Sequence, residues 1–179
     1  SDLQLIYTRE EDLRAGGYRP MAAMRFKAGF DLNKRLVAIT NHSVTHSILK
    51  DQDADHSGVD EHSVDGLVDH PYRFPAYRFT HTQKNTHLTA WWWRSGGASI
   101  NVYARECFID EMAAAAQQDP IRYRRHLLRA SPDYVNVLDT LEQVSSWGKN
   151  QFPRETAMGV AIHEMHDTVC GLAAQVSVT

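Results

Sequence analysis

Residues 91 to 128 constrain this chain more than any other stretch. They read Trp91-Trp92-Trp93-Arg94-Ser95-Gly96-Gly97-Ala98-Ser99, then a run with helical periodicity, then Asp119-Pro120 and a second short run. A tight glycine-containing loop beside aromatic rings thus opens directly onto a helix N-terminus. N–H groups without intrahelical partners suit an oxyanion or a phosphate there. Ile100, Tyr103, Ala104, Cys107, Phe108, Met112 and Ala115 recur at steps of three and four, which predicts one long helix from near Ser99. Ile109 and Ala113 widen the apolar arc, so burial on more than one side is expected. Cys107, on the apolar side, reads as a small core residue. Gln117-Gln118 ends the helix, Asp119 caps the next, and Pro120 fits its first position. Ser131-Pro132 repeats the device for a third helix with apolar positions Tyr134, Val135, Leu138, Leu141 and Val144, stopped by Gly148.

The flanks read differently. Leu3 to Tyr7 is read as a strand, and Thr8 with Glu11 as the start of a short helical turn that Gly16-Gly17 breaks. Met21 to Phe30 alternates loosely and Leu36 to Val44 is β-branched. Asp31-Leu32-Asn33-Lys34 supplies turn chemistry between them, so an antiparallel hairpin is expected. Lys50 to Asp69 is polar and acidic, includes His56, Gly58 and Gly66, and reads as a surface excursion, mobile or packed on a missing partner surface. Tyr72 to Thr82 is aromatic and extended, kept out of a helix by Pro71 and Pro75. Met158 to Glu164 and Leu172 to Val178 read as returning strands. The order implies an α+β fold: antiparallel strands and a hairpin, a central three-helix segment, then returning strands.

At 179 residues the chain is long enough for a single domain, 1–179, burying roughly 68–70% of its unfolded surface. With 19 basic against 22 acidic residues, it lacks the basic excess of a nonspecific nucleic-acid binder. No apolar run of about 18 residues implies a membrane span. Two cysteines, Cys107 and Cys170, make no disulfide framework. A first residue of Ser1 leads us to expect a chain processed or cut from something longer.

Ten histidines invite a metal reading. His163 and His166 are three apart and His42 and His46 four apart, but both pairs fall in expected strands. Spacing three splits side chains between faces there, and no Cys-x-x-Cys partner exists. Ordinary surface or paired histidine is the expectation, with metal ligands: none. Glu106, Asp110 and Glu111, near Arg105, Arg122, Arg124 and Arg125, read as salt-linked helix surface. No nucleophile elbow and no phosphate-binding loop with its lysine is present. The Trp91–Ser99 loop keeps two readings. One is a buried aromatic strand end with a glycine turn. The other lines a cofactor pocket, with Arg94 offering planar donors and Gly96-Gly97 permitting close backbone approach.

Trp93 to Ala113 resembles the pattern Trp-Arg-Ser-Val-Gly-x-Ser-x-Asn-Ala-Phe-x-x-Glu-Ser-Phe-Ile-Asp-Glu-Leu-Ala. That pattern belongs to the molybdopterin-binding large subunit of molybdenum hydroxylases, the xanthine dehydrogenase and aldehyde oxidoreductase superfamily, and within it the bacterial isoquinoline 1-oxidoreductase beta-subunit type. Asp119-Pro120 to Arg124 with Leu127-Leu128 resembles its Asp-Pro-x-x-x-Arg-x-x-Leu-Leu. Tyr7 to Asp12 with Tyr18-Arg19-Pro20 resembles its Trp-Thr-Arg-Glu-Asp-Asp and Tyr-Arg-Pro. Gly159-Val160-Ala161 and Gln175 to Val178 resemble strands that resume later.

The resemblance implies hydroxylation of an aldehyde or an N-heterocycle carbon with oxygen from water. The expected cofactor is molybdopterin in its cytosine dinucleotide form. The expected partners are the rest of the large subunit, an iron–sulfur small subunit and a small aldehyde or N-heterocyclic substrate. It makes Trp93, Arg94, Ser95, Gly96 and Gly97 cofactor-proximal. Two departures stand out: Gly96 replaces the family's valine and is expected to loosen the loop, and Cys107 replaces a serine. The family's Gly-Gly-x-Phe-Gly segment would precede residue 1. No glutamate here has the Gly-Glu-Pro-Gly-like setting of the catalytic one, so no catalytic residue is assigned. An interior fragment, inactive and cofactor-free by itself, is expected. A non-catalytic scaffold or interaction domain and a small histidine metalloprotein are the rivals.

Overall fold

The computed structural model describes residues 2–52, 57–149 and 152–178. Helices and strands follow in the order α1 (Arg9–Ala15), β1 (Ala22–Phe30), β2 (Leu36–Thr45), α2 (Ile48–Gln52), α3 (Glu61–Val64) and β3 (Tyr77–Gln83), then α4 (Ala98–Ala115), α5 (Pro120–Leu127), α6 (Pro132–Val144), β4 (Thr156–Met165) and β5 (Thr168–Ser177). The fold is α+β. One sheet has the order β1-β2-β3, with β1 antiparallel and β3 parallel to β2; β4 and β5 form a separate antiparallel pair. The hairpin is the expected one. Its turn is held by the Asp31 carboxylate, which accepts from the N–H groups of Asn33 and Arg35, each at 2.8 Å.

Burial along β1 alternates strictly, where the residue types suggested only loose alternation. Met24, Phe26 and Ala28 turn inward, and Phe26 stacks on Phe108 of α4 with ring centroids 5.0 Å apart. Two of the three caps read from the sequence form: Thr8 Oγ1 accepts from Glu11 N–H, and Asp119 from the N–H groups of Ile121 and Arg122. Ser131 precedes α6 without a side-chain cap bond. The core gathers Ile109, Met112, Ile121, Leu128, Leu138 and Ile162, each at most 2% exposed.

Four expectations need correction. Leu3 to Tyr7 forms no strand and lies exposed, because no neighbouring strand takes up its backbone hydrogen bonds. Cys107 is exposed, and Tyr103 is 72% exposed. The buried strip of α4 instead runs through Asn101, Arg105, Glu106, Ile109, Met112 and Ala113. The Lys50–Asp69 segment is no mere surface excursion. Asp60, Ser63, Val64 and Leu67 are buried, while His56 lies outside the described residues. Polar side chains fasten this segment to α4: the Asn101 amide donates to the carbonyls of Ser63 and Asp65, and Arg105 to that of Gly66.

The fourth correction concerns the carboxylates. Glu106 is 3% and Arg124 0% exposed, so they are core, not helix surface. Glu106 accepts from Tyr72 Oη (3.0 Å), Arg105 Nε (3.1 Å), Arg124 Nε (3.0 Å) and the Ile162 N–H (3.1 Å). Arg124 also binds Asp110 and the Glu106 carbonyl. One carboxylate thus joins α4, α5, β4 and the segment before β3, with its lone pairs satisfied. Burial, then the Glu106 charge, push the Tyr72 phenol up, so it remains a donor at neutral pH.

His70 sits among Tyr72, Phe74 and Tyr77, at ring-centroid distances of 5.9, 5.1 and 5.3 Å. Burial, then the Arg105 charge, lower its pKa to about 4. A folded pKa below the unfolded one contributes stability that is complete above the unfolded value, near 6.5, and lost as pH falls towards 4. Between pH 7 and pH 5 this group alone is expected to remove roughly 2 kcal/mol of unfolding free energy. Urea melts of wild type and His70→Phe across that range check it. An identical slope in the variant would place the titration elsewhere.

Outward-facing Leu172 and Val176 of the β4–β5 pair are 65% and 59% exposed. No helix among the described residues is long and apolar enough to cross a membrane.

Candidate functional site

The loop before α4 is held from three sides. Ahead of it, the Ala90 N–H donates to Asp51 of α2 at 2.6 Å, and Asp51 also pairs with His46 at 2.8 Å. Beside it, Tyr18 N–H donates to the Thr89 carbonyl and Trp91 N–H to that of Tyr18, making a short parallel bridge. Behind it, the Trp93 indole N–H donates to the Gly17 carbonyl at 2.9 Å. Arg19 lies over the Trp93 ring, 5.8 Å from its centroid, and donates to Ser99 Oγ at 2.8 Å. Ser99 in turn donates to the Gly96 carbonyl at 3.1 Å.

Trp93 to Gly96 form a tight turn closed by Gly96 N–H on the Trp93 carbonyl at 3.0 Å. Ser95 and Gly96 take φ of +71° and +48°; glycine adopts the second at little cost, whereas a valine there would be strained. Gly97 is the residue before the first turn of α4, so all five expected site residues lie together at that helix's head. The tryptophans are 40–47% exposed, which sets aside the reading of a buried aromatic strand end. Together with Arg9, Asp12, Gly16, Gly17 and Arg94 they line an open cleft of about 520 Å³.

The helix head is not wholly free, contrary to the simplest sequence reading. The Asp65 carboxylate stands beside the helix head, 3.9 Å from where a Cβ on Gly96 would lie; burial, then Asp69, raise its pKa, and the Ala98 N–H lowers it. Among the described residues, the N–H groups of Arg94, Ser95 and Gly97 and the Arg94 guanidinium have no partner. The donors on offer are therefore those of the turn and Arg94 more than those of the helix. Amides fixed in a turn and a free guanidinium fit an oxygen-rich anionic group and can stabilise charge on oxygen. Half-exposed indoles beside them fit a flat ring.

Sequence reasoning assigned no place in the site to Gly17, Arg19 or Asp65. Arg19 belongs to the Tyr18-Arg19-Pro20 motif, which was a usable signal. Asp65 had none, being brought in by the packing of α3 on α4. The histidines disperse: His42 pairs with Thr80, His46 with Asp51 and Thr86, and His166 lies in the β4–β5 turn. Among the described residues no three His, Cys, Asp or Glu side chains are arranged to hold a metal ion.

The family described as the molybdopterin cofactor-binding domain matches residues 2–128, well over half of the chain and the whole of this loop. The chain belongs to that family. Three curated relatives are similar to this molybdopterin cofactor-binding domain. A membrane-bound aldehyde dehydrogenase [pyrroloquinoline-quinone] of Gluconacetobacter polyoxogenes is 26% identical over 89% of the chain and 24% of its own length. A nicotinate dehydrogenase subunit of Pseudomonas putida is 31% identical over 48% of the chain and 7% of its own. The beta subunit of isoquinoline 1-oxidoreductase of Brevundimonas diminuta is 22% identical over 81% of the chain and 19% of its own. The chain thus spans a quarter or less of each. Two solved structures share the fold. Quinoline 2-oxidoreductase from Pseudomonas putida 86 has a TM-score of 0.67 at 18% identity, over 88% of this chain and 23% of that one. Aldehyde oxidoreductase from Desulfovibrio gigas has a TM-score of 0.66 at 18% identity, over 87% and 19%.

Proposed function

We propose that the 179 residues are an interior domain of a molybdenum hydroxylase large subunit, and that the Trp91–Gly97 loop is one wall of its cofactor site. Trp93, Arg94, Ser95, Gly96 and Gly97 are the residues nearest the group. The substrate is a small aldehyde or N-heterocycle. The observation that carries this reading is the Arg94–Gly97 turn, anchored at the head of α4 inside the family-matched segment, with the N–H groups of Arg94, Ser95 and Gly97 and the guanidinium unpartnered among the described residues. The aldehyde, nicotinate, isoquinoline and quinoline named in the relatives support the substrate class. Two relatives named as subunits support an enzyme shared with further chains; the further chain of this proposal is an iron–sulfur subunit. The apolar outer face of β4–β5 supports packing against the rest of the large subunit.

When bound, the cofactor, in the cytosine dinucleotide form, supplies the two-electron chemistry that adds a water-derived oxygen to substrate carbon. This chain's residues bind and orient. Arg94 and the turn amides hold negatively charged oxygens, Trp93 is pinned by Gly17 and Arg19, and the paired tryptophans keep water from one side. No glutamate of the chain stands in the Gly-Glu-Pro-Gly-like setting, so the base comes from elsewhere and the 179 residues alone turn nothing over.

In the full gene product carrying these residues, Arg94→Ala is expected to lower kcat/KM on the order of 10²-fold, the usual effect of removing one charge-stabilising donor. Metal analysis should find molybdenum in wild type. Unchanged turnover in the variant would remove the loop from the site. A quinone cofactor in place of molybdenum would overturn the cofactor. Clear aldehyde or isoquinoline turnover by the 179 residues mixed with molybdopterin would refute the fragment reading.

A further inference from the structure

A larger cavity lies at the other end of α4. It measures about 650 Å³ and is bounded by Gln118, the β1–β2 turn, residues 73–75 and α5. The eighteen residues of α4 span about 27 Å, so this cavity is separate from the Trp91–Gly97 loop.

Half of its lining residues are basic. Lys34, Arg35, Arg73, Arg122, His126 and Arg129 face it, and no carboxylate does. None of these side chains forms an ion pair among the described residues. Such an excess stands out in a chain whose net charge is −3. Like charges gathered without counter-charges repel one another, and an anionic occupant would relieve them.

Tyr123, 3% exposed, lines the cavity too, and beside it Leu36, Phe74 and Leu127 supply an apolar floor.

We infer that this cavity binds a phosphate-bearing small molecule with a flat organic ring, of the mononucleotide class. Arginine forks match phosphate oxygens in paired fashion, and the ring lies against Phe74 and Leu36. The volume is that of a small-molecule site. Cations converging from three segments around an apolar floor suit a compact ligand better than an extended acidic chain.

Isothermal titration of the 179-residue chain with ATP, with inorganic triphosphate and with a glutamate-rich peptide tests this. ATP should bind with one-to-one stoichiometry and more tightly than triphosphate, which lacks the ring. Arg73→Ser combined with Arg122→Ser, both exposed positions, should weaken ATP binding at least about tenfold with an unchanged circular dichroism spectrum. No binding of ATP, or binding indifferent to this double variant, would overturn the site. Triphosphate binding as tightly as ATP would overturn the ring. A glutamate-rich peptide that displaces ATP would make this a protein-docking surface instead. None of these outcomes bears on the cofactor loop at the far end of α4.

Discussion

Arg124→Met is expected to lower the unfolding free energy by about 3–5 kcal/mol, the penalty for stranding a buried charge whose partner is removed. Domains of this kind hold only about 5–15 kcal/mol in total. Arg124 is wholly buried, and it binds the Glu106 carboxylate, the Glu106 carbonyl and Asp110. Without it Glu106 keeps Arg105, Tyr72 and the Ile162 N–H but loses the partner that ties α4 to α5. Glu106→Gln alone should also destabilise. The double variant should lose less than the sum, by roughly 1–3 kcal/mol, because the two share one network. Urea denaturation of the four proteins measures the cycle. A loss under about 1 kcal/mol for Arg124→Met, the scale of exposed pairs, would return the cluster to the surface class.

Gly97→Ala is the second large effect expected. The backbone at Gly97 has φ of −67°, open to any residue. Space forbids the change: an added Cβ would run into the backbone carbonyl of His62. Backbone yields far less readily than a side-chain tip, so α3 and the head of α4 must part, at about 3 kcal/mol, the upper part of the overpacking range. The neighbouring Gly96→Ala meets only Asp65 at 3.9 Å. It should cost about 1–2 kcal/mol, through its positive φ alone. Limited proteolysis should show residues 57–66 cut faster in Gly97→Ala than in Gly96→Ala. Equal melting temperatures for Gly97→Ala and wild type would show that the two segments do not meet so closely.

The contrast between these two glycines shows where sequence stops being informative. The turn, the helix after it, the Asp119-Pro120 start and the β1–β2 hairpin all follow from local rules: caps, turn residues and periodicity. They hold because no distant segment needs to be known. The reading failed where a polar residue is buried by a remote partner. Glu106 stands three residues before Ile109 and seven before Ala113, on the apolar strip of its own helix, and that position was the available signal. Charge alone led to the solvent reading. Asn101 and Arg105 gave even less notice, because their partners are backbone carbonyls of residues 63–66, whose composition resembles a solvated loop. Leu3 to Tyr7 failed the other way: it has strand composition without a strand beside it.

At the loop, local rules placed Arg94, Ser95, Gly96 and Gly97 at the helix head together. They could not reveal that Asp65 stands beside the helix head, or that Arg19 and Gly17 grip Trp93. Those contacts join residues far apart in the chain, and only the packing of α3 and the 17–19 segment against α4 brings them together.

The indole arrangement has an optical consequence. Three tryptophans cluster half-exposed at one end of α4, and the fourth, Trp147, donates to Asp119 at the other. Replacing Trp147 by Phe leaves an emission spectrum that belongs to the cleft alone. Its quenching by iodide then becomes a label-free gauge of whatever settles there.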